Sequence, residues 1–506
     1  MNPQPPHTFI ISDVHIADGE PLDPKRPLWR RYKDPAHFVD EAIRQFLHHA
    51  RVLSDGARAE LILNGDIFDF DCVVAIPDAP EFPVGWLERR RGLAPECEKA
   101  VWKLGRILDD HPAFLDHLRT WLMDGHDLAY IIGNHDLEMH WAEAQDLFRD
   151  RLSLPEDCPG KLRFCPWFTI SGDTLVTHGN QLDPYCLCDD PLHPFIEVNR
   201  TAQVRLPFGD LAGKFLSNGI GWFNPHVEST YVKPLHEWVL FFYRHVLRQQ
   251  PLILWTWLWS SVAALIASLS AGFRPALRDP LTLEERVNGV ALVSRTSPAV
   301  VRAMHEVRVH PAIFRPLKVL RELWLDRAFL LLAIAFGSFQ VISTLHMFAD
   351  VSGWWMVALF AVLLPPFFFY AARVDSDVQE VERNIHKRLG LLAHITNTHK
   401  VVMGHTHKAL HQQVGEIQYA NTGHWAPGFS DMACTEPHGV RGFAWLHPDG
   451  SGGRTLELRQ WQDTDSTPIP TTAVPVKKSA LDRFLPRLPG RRRRLPTRPE
   501  LPLIQR

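Results

Sequence analysis

Tyr130-Ile131-Ile132-Gly133-Asn134-His135-Asp136 decides how this chain reads: an apolar, β-branched run stops at a glycine and hands over to an amide, an imidazole and a carboxylate. Such a run reads as a buried strand, and the polar residues fall at its end. The arrangement recurs four more times. Residues 9–11 run into Asp13-Val14-His15, 61–63 into Gly65-Asp66, 175–176 into His178-Gly179, and 401–403 into Gly404-His405-Thr406-His407. Oxygen and imidazole donors therefore gather at one edge of a sheet. Any one pair carries little weight, because 27 histidines and 57 acidic residues make chance pairs common. Taken singly, Asp13 or Asp66 could cap a helix and a histidine could pack in the core. Five in order, all at strand ends, point to a metal site. A hydrolytic two-metal centre needs carboxylate and imidazole donors, with one anion shared, because cations about 3.5–4 Å apart repel unless something negative lies between them. Asp66 suits the shared position.

These motifs resemble the calcineurin-like metallophosphoesterase superfamily, whose pattern is Asp-x-His, Gly-Asp-x-x-Asp, Gly-Asn-His-Asp/Glu, a later His, and Gly-His-x-His. The resemblance covers roughly residues 7–185 and 376–462. It implies an α/β fold, a four-layer α-β-β-α sandwich in which two central mixed sheets are flanked by helices. It also implies two divalent ions, with Asp13, His15, Asp66 and His407 around one and Asp66, Asn134, His178 and His405 around the other. The donor set accepts Mn, Fe or Zn. His135 is then free of metal and protonates the leaving oxygen, and Asp69 orients it and favours its protonated form.

Two departures narrow the class. Protein Ser/Thr phosphatases of the superfamily carry Arg after Gly-Asp-x-x-Asp and Glu after Gly-Asn-His, where this chain has Phe70 and Asp136. Protein phosphatase activity is therefore not expected. The match is closer to the bacterial branch that includes UDP-2,3-diacylglucosamine pyrophosphohydrolases. Those enzymes carry His-Gly-Asp and soon afterwards Cys-x-Asp-Asp, against His178-Gly179-Asn180 and Cys188-Asp189-Asp190 here. Asp189 and Asp190 read more readily as a turn or cap before Pro191.

With 506 residues, 45% of them hydrophobic, the chain is long enough for more than one part. Residues 1–185 and 376–465 read as two portions of the metallophosphoesterase domain, 186–375 as a largely helical insertion, and 466–506 as a disordered basic tail. Helices are expected near 36–51, 95–124 and 378–396, a strand near 164–170, and a hairpin turn at Asp449-Gly450. Asn421-Thr422-Gly423 reads as a loop near the metals. Within the insertion, 252–269, 328–348 and 354–372 are nearly charge-free stretches of about membrane-spanning length. Motifs on both sides of the insertion must meet in one site, so the number of crossings is even. A transmembrane hairpin of 328–348 and 354–372 satisfies this, leaving 252–269 interfacial or buried; Trp255, Trp257 and Trp259 favour the interface. Residues 273–327 carry ten Lys/Arg against six Asp/Glu, whereas the hairpin tip has only Asp350, so the positive-inside rule puts the catalytic body in the cytoplasm.

The first residues lack a basic start followed by an apolar signal core, and seven unpatterned cysteines fit reduced thiols. Residues 477–506 carry ten basic and two acidic residues, leaving −11 elsewhere in a chain of net charge −3. Near membrane helices this tail reads as a ligand for anionic lipid or as a solvated segment; a nucleic-acid partner is not expected. No Walker-type phosphate loop is present. The expected function is a membrane-associated, metal-dependent phosphoesterase, acting on a phosphomonoester, phosphodiester or pyrophosphate bond, with a lipid-linked phosphate ester among the candidate substrates. Two alternatives stand beside it: UDP-2,3-diacylglucosamine pyrophosphohydrolase, and a membrane scaffold with a degenerate hydrolase domain.

Overall fold

The computed structural model describes residues 6–222, 224, 226–227, 240, 243, 247, 252–277, 280–373 and 381–474. Four strands, β1 (His7–Ile11), β2 (Ala59–Asn64), β3 (Asp127–Ile131) and β4 (Leu162–Cys165), run parallel in one sheet. The second sheet starts from β5 (Phe168–Ser171) and β6 (Thr174–Thr177). A small ribbon, β7 (Phe195–Val198) with β8 (Thr201–Val204), stands apart. After the insertion come β9 (Lys400–Met403), β10 (Ala409–Val414), β11 (Ile417–Thr422), β12 (Gly442–Pro448), β13 (Arg454–Gln462), β14 (Asp465–Pro468) and β15 (Thr472–Val474). The sheet orders are β14-β13-β12-β1-β2-β3-β4 and β15-β10-β11-β9-β6-β5. Both are mixed: β12 meets β1 antiparallel, and β5 meets β6 antiparallel.

Alternation along the strands explains the layers. Ile10, Ile62, Ala129 and Ile131 face Val176, Val402 and Ala420 between the sheets. The intervening Phe9, Ile11, Leu61, Leu63 and Tyr130 face Phe46, Leu104, Ile107 and Leu118 of the helices Asp40–Leu53, Cys97–Asp110 and Pro112–Met123. On the far side, Leu175, Val401 and Tyr419 pack on Ile385 and Leu389 of helix Val381–Thr396 and on Val287 and Val301 of Leu283–Val293 and Pro298–Glu306. Strands covered on both faces are apolar without a break, which is why they read so plainly in the sequence.

Several local expectations change. The helix expected over 95–124 is two helices, because Pro112 has no N–H to continue the first and takes the opening position of the second. At this break His111 meets Asp40 Oδ2 at 2.8 Å and donates to Ala17 O at 2.9 Å. The strand expected over 164–170 is split at Pro166-Trp167 between β4 of one sheet and β5 of the other. Residues 465–474, expected mostly within the disordered tail, form β14 and β15. Arg459 holds β14, donating to Ser466 Oγ and O, and Ile469 N donates to Leu458 O. Residues 477–506, expected as the basic run, and 378–380, expected to open the helix over 378–396, lie outside the described residues.

Among the described residues, three helices are long and apolar enough to cross a membrane. Leu325–His346 and Trp354–Arg373 form an antiparallel hairpin. Each is about 30 Å long at 1.5 Å per residue, the thickness of a hydrocarbon core. Only 6% and 0% of their apolar windows are buried, against 33% for Ile253–Phe273. That third helix lies on the body through small residues, Ser260, Ser261, Ala263, Ala264 and Ser268, and turns Leu254, Trp255, Ile266 and Phe273 outward. The helix thus packs on the body by one face, Trp257 and Trp259 included, and exposes a second apolar face.

Candidate metal centre

Parallel pairing sets the site. Since β1, β2 and β3 run the same way, and β6 and β9 are parallel neighbours in the other sheet, their carboxyl ends share one edge. The five motifs sit there. The sheets are tied at this edge by Asn64 Nδ2, which donates to Thr177 O at 3.1 Å, and by His178 Nδ1, which donates to Asn64 O at 2.9 Å. Asp13, His15, Asp66, His405 and His407 all have positive φ, between 49° and 70°. Non-glycine residues held this way cost of order 1 kcal/mol or more each and cluster at functional sites. Two glycines make room. A Cβ on Gly65, itself at φ 81°, would meet the His178 ring, and one on Gly133 would meet the Asp66 carboxylate.

The expected ligands converge. Asp13, His15 and His407 present ligand atoms within 4.8 Å of one another, and so do Asp66, His178 and His405. Asp66 also groups with His15 and His135, so it stands between the two sets. His178 Nε2 lies 3.0 Å from Asp66 Oδ2, and His407 Nε2 lies 3.3 Å from Asp13 Oδ1. The arrangement fits metal binding on its hydrogen bonds. His178 Nδ1 and His407 Nδ1 each donate to a backbone carbonyl, of Asn64 and His226, which leaves each Nε2 able to present a lone pair inward. Asn134 donates Nδ2 to Asp210 Oδ1 at 3.0 Å, while its Oδ1 is buried without a hydrogen-bond partner. Asn421 donates to Gly404 O at 2.6 Å and steadies the last motif.

Charge follows the same plan. Burial opposes ionisation of Asp66, but the His178 and His135 imidazoles outweigh it and hold the carboxyl well below its usual range. Conversely, Asp66 and Asp13 overcome the burial of His178 and raise it to about 9. His15 is pushed down to about 3 by burial and by the neighbouring His226. His135 is raised well above an ordinary histidine: burial works against its charge, and Asp69 and Asp66 prevail. Its Nδ1 lies 3.4 Å from Asp69 Oδ1, and its side chain is 21% exposed where those of His15 and His178 are fully buried.

Several residues at the site had no signal in the strand-end pattern. His226 puts Nε2 3.2 Å from Asp69 Oδ2 and lays its ring 3.9 Å from that of His15. Asp183 Oδ2 is 2.9 Å from His405 Nε2. Asp210 holds Asn134, and Asp71, pushed up to about 7 by burial, lies 3.9 Å from His135 Nδ1. His424 stacks on His407. Of these, Asp71, two residues after Asp69, and Asp183, five after His178, were near enough in sequence to be suspected. Cys186 joins Asp183 and His405 in a further group that could hold a metal, whereas Cys188 is not part of it. No family model, curated protein or solved structure matches the chain.

Asp189 and Asp190 serve the scaffold. Asp189 accepts from Arg205 at 2.8 Å and Arg308 at 3.2 Å, and Asp190 accepts from Leu192 N in the expected turn. All seven cysteines are free thiols.

Proposed function

We propose that this chain is a membrane-associated phosphoesterase of the calcineurin-like type, with a four-layer catalytic domain and a two-metal site. The observation that carries the reading is the position of Asp66 between the Asp13/His15/His407 set and the His178/His405 set. Asp13, His15, Asp66 and His407 would hold one divalent ion, and Asp66, Asn134, His178 and His405 the other; Mn, Fe and Zn all suit these donors. When bound, such ions polarise phosphoryl oxygens and lower the pKa of the attacking water.

The remaining steps belong to the chain. His135, raised in pKa and open at the rim, holds its proton near neutral pH and gives it to the departing oxygen. Asp69 fixes the ring through Nδ1, leaving Nε2 for the substrate. Because Asp69 also faces His15 Nδ1 at 3.6 Å and His226 at 3.2 Å, it couples the acid to the metal-binding imidazoles. A degenerate scaffold would have no physical need for such a protonated imidazole. With Asp189 and Asp190 engaged by arginines and a turn, no observation in the site favours the UDP-diacylglucosamine substrate over other phosphate esters.

The exposed hairpin would span the bilayer, with the body on the cytoplasmic side as the charge balance of residues 273–327 suggests. The test is hydrolysis of an aryl phosphate monoester and diester by full-length protein with Mn²⁺ added or chelated. Metal-dependent turnover supports the reading. Turnover unaffected by chelation, or none with these or with lipid phosphate esters, sinks it.

A further inference from the structure

A cleft of about 290 Å³, lined by none of the proposed metal ligands, lies between the Ile253–Phe273 helix, the β7–β8 ribbon and the Phe208–Ala212 helix with the turn after it. Its walls are apolar: Ala267 and Ala271 on the long helix, Ile196 and Val204 on the ribbon, Leu211 and Phe215 below. The ribbon is clamped against both ends of this space, by Leu277 N donating to Phe195 O at 2.9 Å and by Val204 N donating to Pro95 O at 3.0 Å. The walls are therefore built, and not a chance gap between surface loops.

Two guanidiniums line the same cleft. Arg91 donates to Ser260 Oγ and Arg90 O, and Arg274 to Ser270 Oγ and Glu197 O, so both spend their donors on neutral oxygens among the described residues. Elsewhere in the insertion arginines find carboxylates, as Arg205 does with Asp189. The other charged lining residues are spoken for, Glu88 by Lys99 at 2.7 Å and Lys214 by Leu93 O, so the slot keeps two guanidiniums that meet no carboxylate among the described residues. With one wall a helix that turns its other face outward as Leu254, Trp255 and Ile266, it is chemically matched to one kind of molecule. That molecule has an apolar chain and an anionic head and resides in a bilayer. The volume is at the lower limit of small-molecule sites, about 300 Å³, which suits one chain and excludes a whole lipid.

We infer that this cleft holds one acyl chain of an anionic phospholipid drawn from the membrane, with Arg91 and Arg274 facing its headgroup. The inference rests on the membrane placement proposed above, and is independent of the hydrolytic reading. It extends lipid contact to strands β7 and β8, which lie outside the membrane-length helices.

The experiment uses full-length protein in nanodiscs containing phosphatidylglycerol with a photoreactive acyl chain, or phosphatidylcholine with the same chain, and maps the labelled peptides. Labelling is expected on the hairpin, 325–373, with either lipid, and on 87–95, 196–204 and 208–217 at least threefold more with phosphatidylglycerol. Ala271→Trp, which fills the cleft, should abolish the second group and leave the first. The Arg91→Gln/Arg274→Gln pair, which removes both charges and does not fill the cleft, should remove the preference for the anionic lipid. Hairpin labelling without cleft labelling overturns the inference, as does cleft labelling indifferent to headgroup or to both variants. Absence of labelling from the hairpin as well would mean that the membrane placement itself had failed.

Discussion

Asn134 Nδ2 donates to Asp210 Oδ1 at 3.0 Å, joining the end of a core strand to a helix of the inserted segment. The bond decides which way the amide points. With Nδ2 engaged, Oδ1 is turned to the metal edge; with no acceptor there, the amide can flip and present hydrogens to a cation. Burial raises Asp210 well above an ordinary carboxyl, so its neutral form also has an oxygen for Nδ2. Asp210→Asn keeps an acceptor and should bind metal nearly as the parent does. Asp210→Leu removes it and should weaken binding 10–100-fold, as loss of an outer partner commonly does. Titration calorimetry with Mn²⁺ separates the two, and equal affinity of both variants would sink the positioning role.

Asp66 reaches the His178 and His405 group and also groups with His15. If it bridges, Asp66→Asn should cost both ions together: bound metal per chain should fall from about two to well below one. Asp13→Asn removes a ligand from one set only and should leave close to one. Elemental analysis after dialysis counts the ions. One ion retained in Asp66→Asn would deny the bridge.

His135 is the partly exposed imidazole beside Asp69, its pKa raised well above the ordinary value. A general acid matters most when the departing oxygen is a poor leaving group, and contributes about 10²–10⁴-fold. His135→Ala should therefore cost an alkyl phosphate ester in that range and a nitrophenyl ester much less, with metal content unchanged. Equal losses on both esters would show that His135 acts in some other way.

The edge of the sheets was legible because each ligand follows an apolar strand. Residues 9–11, 61–63 and 401–403 could hardly be read as anything else; parallel pairing brings Asp13 beside Asp66 in one sheet and His178 beside His405 in the other, and the stacking of the sheets joins the two pairs. His226 and Asp210 gave no such signal. His226 sits in a turn flanked by proline, and Asp210 in a five-residue helix whose environment is created only by folding the insertion against Asn134. Strands β14 and β15 were hidden for a different reason. Ser466, Thr467 and Thr472 look like tail in a Pro- and Thr-rich stretch, and only pairing with β13 and β10 makes them strand. The membrane-length helices were plain from composition, yet the way Ile253–Phe273 lies on the body depends on its serines and alanines facing inward, a pattern opposite to the usual amphipathic helix.

Glu60, nearly fully buried, receives Arg163 at 3.0 Å and Arg295 at 2.9 Å, and so fastens the inserted helices to β2. Burial would raise its pKa, but the two arginines outweigh burial and lower it from 4.5. A lowered carboxyl contributes stability that is complete above its unfolded value, near 4.5, and is lost as pH falls through the folded value. Glu60→Gln should thus destabilise by about 3 kcal/mol at pH 7. The low end of the range applies because the Arg295 side chain is 26% exposed and Arg163 keeps its bond to Thr169. Denaturant melts of parent and variant should converge below pH 4.5. A gap that stays constant down to pH 3 would mean that packing, and not the ion pair, carries the effect.

The hairpin closes with Tyr370 Oη donating to Asp326 Oδ2 at 2.7 Å, which places Arg321, Arg327 and Arg373 at one end and the turn with Asp350 at the other. Cations at the base and apolar surface along the shaft are the pattern of a segment anchored on one side and passed through the bilayer. A dip that returns without crossing would leave the turn within lipid. In cells, Ser352→Cys in a background without the seven native cysteines should react with a membrane-impermeant maleimide added outside, while a cysteine at Ser451, on the β12–β13 turn of the body, should react only after lysis. Reaction of both from outside reverses the orientation, and protection of Ser352→Cys from both sides replaces the crossing by a dip. Replacing Phe336 and Phe339 by Asp should release the protein from the membrane fraction; each charge costs about 2.5–3.5 kcal/mol at the centre of a spanning helix, enough together to shift insertion by roughly several thousandfold or more.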